Sequence, residues 1–206
     1  MPPKYKFTKD EIISAAFELT RENGPENLTA RAVAAKLGSS PKVIFGSFKN
    51  MDELRNEVIN AAGKFASEQM FSAMKEGKYP PYKAAGMAYI QFARGESRLF
   101  RLLYMRDRSE DEISGNEEEE RESCRPMTEL IQKNTGLDEE NAYLLHLEMW
   151  IFVHGIASMI ATSFLKWDEN FISRALTDSY SGLKHRFCEE IQKNGSSQNT
   201  ESDEKI

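Results

Sequence analysis

The sequence predicts an all-α protein: an N-terminal three-helix unit with a helix–turn–helix, joined by a long fourth helix to a larger helical domain. Three observations predict it. Apolar residues recur at spacings of three and four along most of the 206 residues, with no alternating strand pattern beyond a few positions. Capping residues stand where those stripes begin and glycines where they end. Residues 29–54 hold two short helices and the start of a longer one, separated by a tight turn.

The elements follow in order. Thr8-Lys9-Asp10-Glu11 is a capping box, in which threonine and glutamate satisfy each other's helix-end amides. Ile12, Ile13, Ala16, Phe17 and Leu19 form the stripe behind it, and Gly24-Pro25 ends it. Thr29 caps a second helix with Val33 and Leu37 on one face, and Gly38 ends it through a left-handed turn. Ser40 is read as the next cap, with Pro41 at the first helical position and Ile44 and Phe48 facing inward. Lys42, Val43, Phe45, Gly46 and Ser47 are left to point elsewhere. A short helix held by two apolar residues, with small and basic ones outward, suits insertion into a DNA major groove.

Asn50, with Glu53 three residues on, opens a helix running to about Lys75, roughly 39 Å at the usual rise per residue. Gly77 and Pro80-Pro81 end it. Helices from about Tyr82 to Arg94 and Ser97 to Met105 follow. Residues 106–122 are acidic, with Glu117 to Glu120 as the extreme, and read as a solvated loop or helix start. A helix through Met127 and Ile131 ends near Gly136. Asp138 caps the most apolar helix, expected to reach Leu165, and Asn170 to about Lys193 forms the last. The polar stretch after it reads as a disordered tail. The divisions are therefore 1–50, with 1–7 as a flexible basic arm; 51–193; and 194–206.

Composition narrows the function. At 40% hydrophobic and 29% charged, the chain is that of an ordinary globular protein. No apolar run follows the N-terminal lysines, and the Trp150–Leu165 stretch is short of the ~20 residues of a membrane span. No membrane partner and a cytoplasmic location are expected. Cys124 and Cys188 form no disulfide framework or metal spacing. No nucleophile–base pair, phosphate loop or metal cluster stands out, so neither catalytic residues, cofactor nor metal are expected. Residues 1–50 hold eight Lys and Arg against five Asp and Glu, whereas the rest carries 19 against 28. A basic unit on an acidic body fits a DNA reader attached to something else.

Residues 8–54 resemble the DNA-binding domain of the tetracycline-repressor (TetR) family of bacterial transcription regulators. The resemblance runs through Leu28-Thr29, Val33-Ala34, Leu37-Gly38, Ser40, Ile44-Phe45, Phe48-Lys49 and Glu53-Leu54. Downstream, Trp150-Ile-Phe-Val-His154-Gly155 is similar to a Trp-His-Gly signature of one C-terminal subtype. The resemblance implies a homodimer joined by the last two helices of each subunit, an effector pocket in each body, and a palindromic DNA operator. Effector binding then shifts the fourth helix and the spacing of the two heads. Where the family often has tyrosine, histidine and lysine, this chain has Phe45, Gly46, Ser47 and Met51, with Pro41 at another frequent contact position. Those departures imply a weaker phosphate grip, compensated by Lys42, Lys49 and the Lys4, Lys6 and Lys9 arm.

The candidate DNA contacts are Lys6, Thr29, Arg31, Ser40, Pro41, Lys42, Val43, Phe45, Gly46, Ser47 and Lys49. Lysines and hydroxyls suit phosphates, Lys42 also a guanine edge, and Val43 and Phe45 a thymine methyl. Met87, Phe92, Phe100, Tyr104, Met105, Trp150, His154 and Met159 are candidates for an apolar effector cavity, with His154 as its hydrogen-bonding group. Phe152, Ser179, Tyr180, Leu183 and Phe187 are expected at the dimer contact, where small Ser179 and Gly182 allow close approach. The function expected is a dimeric repressor released by a small apolar ligand. The alternative is a helical ligand- or partner-binding protein of the same fold that no longer reads DNA.

Overall fold

Local capping chemistry sets most helix ends in the computed structural model, which describes residues 7–107 and 117–202, with side chains except at 117 and 190–202. Lys4 and Lys6 of the basic arm and residues 203–206 of the tail lie outside the described residues. Helix α1 spans Lys9–Asn23 with both arms of the Thr8–Glu11 capping box made. A 3-10 turn at Pro25–Asn27 leads to α2, Ala30–Lys36, where the Thr29 hydroxyl oxygen accepts from the Ala32 amide at 3.2 Å. Gly38 is left-handed at φ 61°. The turn closes with the Ser39 amide donating to the Ala34 carbonyl, a bond that satisfies an orphan helix-end acceptor.

Helix α3, Lys42–Ser47, corrects one expectation. Ser40 makes no side-chain cap; Pro41 occupies the cap position in helical conformation. Proline's fixed φ already starts the turn, and the Ser40 carbonyl accepts from Val43 at 3.1 Å. Helix α4 spans Met51–Glu76, capped by Asn50 and ended by left-handed Gly77. Glu53 differs from a capping box, because its carboxylate accepts from the Lys49 amide at 2.7 Å instead of from Asn50.

The body adds α5, Pro81–Gly95; α6, Ser97–Tyr104; α7, Glu117–Thr135; α8, Glu139–Ala161; and α9, Glu169–Ser202. No strand occurs among the described residues. The described end of the acidic stretch is helical: α7 starts at Glu117, and Arg121 pairs with Glu140 at 2.9 Å. Helix α9 continues past Lys193 to Ser202, since no proline follows to stop it.

Helix α8 stops four residues before Leu165. The Thr162 hydroxyl bonds the Ser158 carbonyl at 2.8 Å, Ser163 turns left-handed at φ 59°, and the Phe164 amide closes onto Met159 at 2.9 Å. A left-handed serine carries a Cβ penalty of about 1–2 kcal/mol that glycine avoids. Ser163→Gly should therefore raise unfolding stability by about 1 kcal/mol and the melting temperature by about 2–4 °C, read by calorimetry.

One continuous core links head and body. Ile12, Val33, Ile44, Phe48, Leu54 and Val58 fill the head, and Ile90, Phe92, Phe100, Leu145 and Ile172 the body. Helix α4 belongs to both, packing on α1 and, more extensively, on α5. A second connection runs through α6. Arg21 of α1 pairs with Glu96 at 2.9 and 2.5 Å, Arg98 donates to the Glu22 carbonyl, and Phe17 meets Phe65 edge-on at 5.8 Å. The head therefore cannot pivot on α4 without disturbing the start of α6.

Candidate functional site

The head presents what its packing leaves over. Ile44 and Phe48 are fully inside, so the opposite side of α3 is bare: Lys42, Phe45 and Gly46 are exposed, Phe45 by 53%. Lys42 and Phe45, three apart, are neighbours on that face. Pro41, Val43 and Ser47 are half-buried, with Val43 packed against the core. Ser40, Thr29 and Arg31 are exposed at the turn and the start of α2. The Thr29 oxygen is occupied in its cap, which leaves the hydroxyl proton for another acceptor.

The cations of the head divide into two sets. Lys9 is taken up internally, bonded to Glu57 at 2.7 Å and lying over the Phe48 ring, so it fixes α1 to α4 instead of extending the arm. The Glu57 hydrogen bond, against the desolvation of burial, raises its pKa above the usual lysine value. Lys36 pairs with Glu22 at 2.8 Å. Lys42, Lys49 and Arg31 have no ion pair among the described residues. A cation left uncompensated on an exposed short helix is available to an anionic partner.

The body encloses a cavity of about 320 Å³, walled by α4, α5, α7, α8 and α9. Its surface is mostly side-chain carbon: Met70, Tyr89, Met127, Met149, Trp150, Val153 and Leu176. Polar atoms enter from Lys83, Asn134, His146 and Thr177. Two tyrosine–histidine rungs cross between α5 and α8. The Tyr82 hydroxyl meets His146 Nδ1 at 3.0 Å and the Tyr89 hydroxyl meets His154 Nδ1 at 2.9 Å. Burial pushes both phenols well above their ordinary pKa and both imidazoles below theirs, His146 to about 4. Near neutrality the phenols thus donate and the neutral rings accept.

The sequence-expected cavity residues separate. Trp150 lines the cavity. Met87 lines a second, more polar cleft of about 450 Å³ beside Tyr79 and Glu169. Phe92 and Phe100 are core, fully buried, while Met105 and Met159 are exposed. His154 is sandwiched, stacked on Trp150 at 5.1 Å and on Phe100 at 5.8 Å, with Tyr104 against Phe100 at 5.0 Å. It is a packed ring held by Tyr89 behind the cavity wall. Sequence reasoning missed Tyr82, Lys83, His146, Met149 and Leu176. The available signal was the run Tyr82, Gly86, Tyr89 on one face of α5. At Gly86 an added Cβ would stand 3.2 Å from Leu176, so this glycine sets the approach of α5 to α9.

Of the expected dimer residues, Phe152 is 37% exposed beside Ile151 at 64%, and Ser179 and Leu183 are half-buried. Gly155 and Gly182 face open space. Tyr180 turns inward instead, lining the cavity with its ring 5.5 Å from that of Tyr82. Phe187 is 3% exposed and belongs to the core. Both corrections follow from helix rotation: Tyr180, Leu183 and Phe187 are spaced three and four apart on α9 and share its body-facing side, so half-buried Leu183 also packs against the core. The length and composition of α8 would also suit a membrane span, but its Ala142, Leu145, Met149, Val153 and Ala157 face pack into the body. Among the described residues no His, Cys, Asp and Glu group could hold a metal ion.

His146 makes the body pH-sensitive. Unfolded, the ring titrates near 6.5, whereas buried it titrates near 4. Below 6.5 the unfolded chain binds the proton first, so stability is full above 6.5 and falls as pH drops from 6.5 to 4. The loss should total roughly 2–3 kcal/mol, and His146→Gln should remove that part of the slope in urea titrations.

Comparison with known proteins bears on the family and the fold. The profile described as bacterial regulatory proteins, tetR family, matches residues 12–58, and that of the tetracyclin repressor-like C-terminal domain matches residues 82–178. A Haemophilus influenzae protein described as an uncharacterized HTH-type transcriptional regulator is 29% identical over 99 residues, 47% of this chain and 48% of that one. The chain thus matches about half the length of that curated relative. A TetR-like transcriptional regulator from Rhodococcus has the same fold at TM-score 0.59 and 18% identity, covering 86% of this chain and 93% of that one. So does MexZ, a repressor responsible for antibiotic resistance in Pseudomonas aeruginosa, at TM-score 0.56 and 19% identity over 85% and 94%. A TetR variant from Acinetobacter baumannii in complex with minocycline aligns at TM-score 0.52 and 18% identity over 91% and 98%.

Proposed function

The chain belongs to the tetracycline-repressor family of bacterial regulators, and from that premise we propose that it is a homodimeric, cytoplasmic transcription repressor released from a palindromic operator by a small, largely apolar effector. It works by binding and needs no catalytic step or cofactor. The observation that carries the reading is α3: anchored by Ile44 and Phe48, it offers Lys42, Phe45 and Gly46 outward with no internal partner. Two such heads about 34–36 Å apart match successive major grooves.

The cavity supports effector control because Met70 of α4 is in its wall. A ligand that expands that wall displaces α4, and α4 carries the head. Trp150, stacked on His154 and through it on Phe100, extends the disturbance to α6, which is paired to α1. Ligand and operator then weaken each other by the same factor. The finer assignment to a Trp-His-Gly subtype rests on Trp150, His154 and Gly155. The division into a head of 1–50, a body of 51–193 and a tail of 194–206 completes the proposal.

Selection from random duplexes at low salt tests it. We expect an inverted repeat to be enriched and to shift the protein in a gel, with binding falling steeply as salt rises. Enrichment of no duplex would defeat the reading and leave a ligand- or partner-binding protein of this fold.

A further inference from the structure

The charge pattern of the cavity identifies the effector's head group; this step rests on reading the cavity as the effector site. None of the lining residues is an aspartate or glutamate, and the one cation among them is Lys83. Its ammonium donates to Thr177 Oγ1 at 2.8 Å, and Thr177 spends its own proton on the Ser173 carbonyl at 3.0 Å. Lys83 also lies 5.0 Å over the Tyr79 ring. Glu169, the carboxylate bonded to Tyr79, is held by Lys78 at 2.5 Å. No carboxylate among the described residues is within ion-pair distance of Lys83, and the first turn of α5 has no acidic residue. At the exposed side of the cavity the ammonium has one neutral oxygen partner and no counter-charge, and two of its three protons remain for another acceptor.

We propose that the effector is a small apolar monoanion, an aryl or alkyl carboxylate. Its head group pairs with Lys83 Nζ beside Thr177, and its body lies against Tyr82, Met149 and Trp150. A cationic amphiphile is disfavoured twice, by repulsion from Lys83 and by the lack of any carboxylate in the wall. The volume is at the lower end of the range for ligand cavities, which suits one or two rings or a short chain.

The test uses the full-length protein and matched probes: 2-naphthoate, 2-naphthalenemethanol and 2-naphthalenemethylamine, with octanoate, octanol and octylamine as a flexible set. Trp150 in the wall reports binding by fluorescence, and thermal shift provides a second readout. The acids should bind at least about tenfold tighter than the alcohols, and the amines most weakly. Lys83→Met keeps the stem and should bring each acid to the level of its alcohol. Lys83→Glu should reverse the order, amine over acid, an exchange that a merely structural lysine would not give. Equal binding of acid and alcohol, unchanged in Lys83→Met, overturns the anion assignment and leaves the cavity reading standing. Failure of both complete probe sets to bind overturns the two together.

Discussion

Glutamates at Ile151 and Phe152 should convert the protein to monomers and weaken operator binding by orders of magnitude. Sedimentation should give about 47 kDa for the native protein, twice the chain mass of 23.5 kDa, and about 23.5 kDa for Ile151→Glu/Phe152→Glu. The two residues face outward on α8, exposed by 64% and 37%, next to Gly155, which meets nothing within the subunit. An apolar strip with a glycine notch allows a second helix to approach closely. Two carboxylates there would have to be desolvated without a partner, which a dimer contact does not tolerate. Neither residue is buried in the subunit, although Phe152 is partly covered, so far-UV circular dichroism should keep its helical signature. Operator affinity should fall by about 10²–10⁴, because one head binds without the effective concentration supplied by its twin. A native protein sedimenting as a monomer at micromolar concentration would remove the paired-head geometry.

The head was legible in the sequence because its determinants are local. Thr8 with Glu11, Thr29, Gly38 and Asn50 each act within about a turn, so residue type and spacing suffice. Ser40 was the exception: serine before proline resembles a cap, yet Pro41 starts the helix unaided. The end of α8 was not legible, since a left-handed Ser163 leaves no glycine to mark it.

The cavity was legible only as an expectation of apolar lining. Tyr82 and His146 are 64 residues apart, and their rung depends on how α5 and α8 rotate against each other. Phe92 and Phe100 have the composition of a pocket wall but the burial of a core, while Lys83 reads from sequence as an ordinary solvated lysine. On α9 the same apolar stripe serves two masters. Tyr180 and Phe187 turn inward with half-buried Leu183 on their stripe, leaving Ser179 beside it at the edge. A helical stripe shows that a face is buried; which neighbour buries it is a tertiary fact.

Lys42→Ala with Lys49→Ala should reduce operator affinity about a thousandfold at moderate salt without changing the melting temperature. Lys42 opens α3 and Lys49 follows its end; both are exposed and form no ion pair among the described residues, so their removal should leave the fold intact. In a dimer each substitution is made twice. If each ammonium neutralises one phosphate, log affinity against log salt should flatten by about two units per substitution and four for the pair. The slopes also separate the roles. A lysine on phosphate weakens all sequences equally, whereas Lys42 on a guanine edge would relax preference at one position of each half-site. The same logic applies to Phe45, 53% exposed beside Lys42. Phe45→Ala should leave the salt slope intact and lower discrimination at a thymine by ~1–2 kcal/mol, because a ring carries no charge and can only press against a methyl group. Steep salt dependence retained by the double lysine variant would move the phosphate grip off α3 and onto Arg31 and the N-terminal arm.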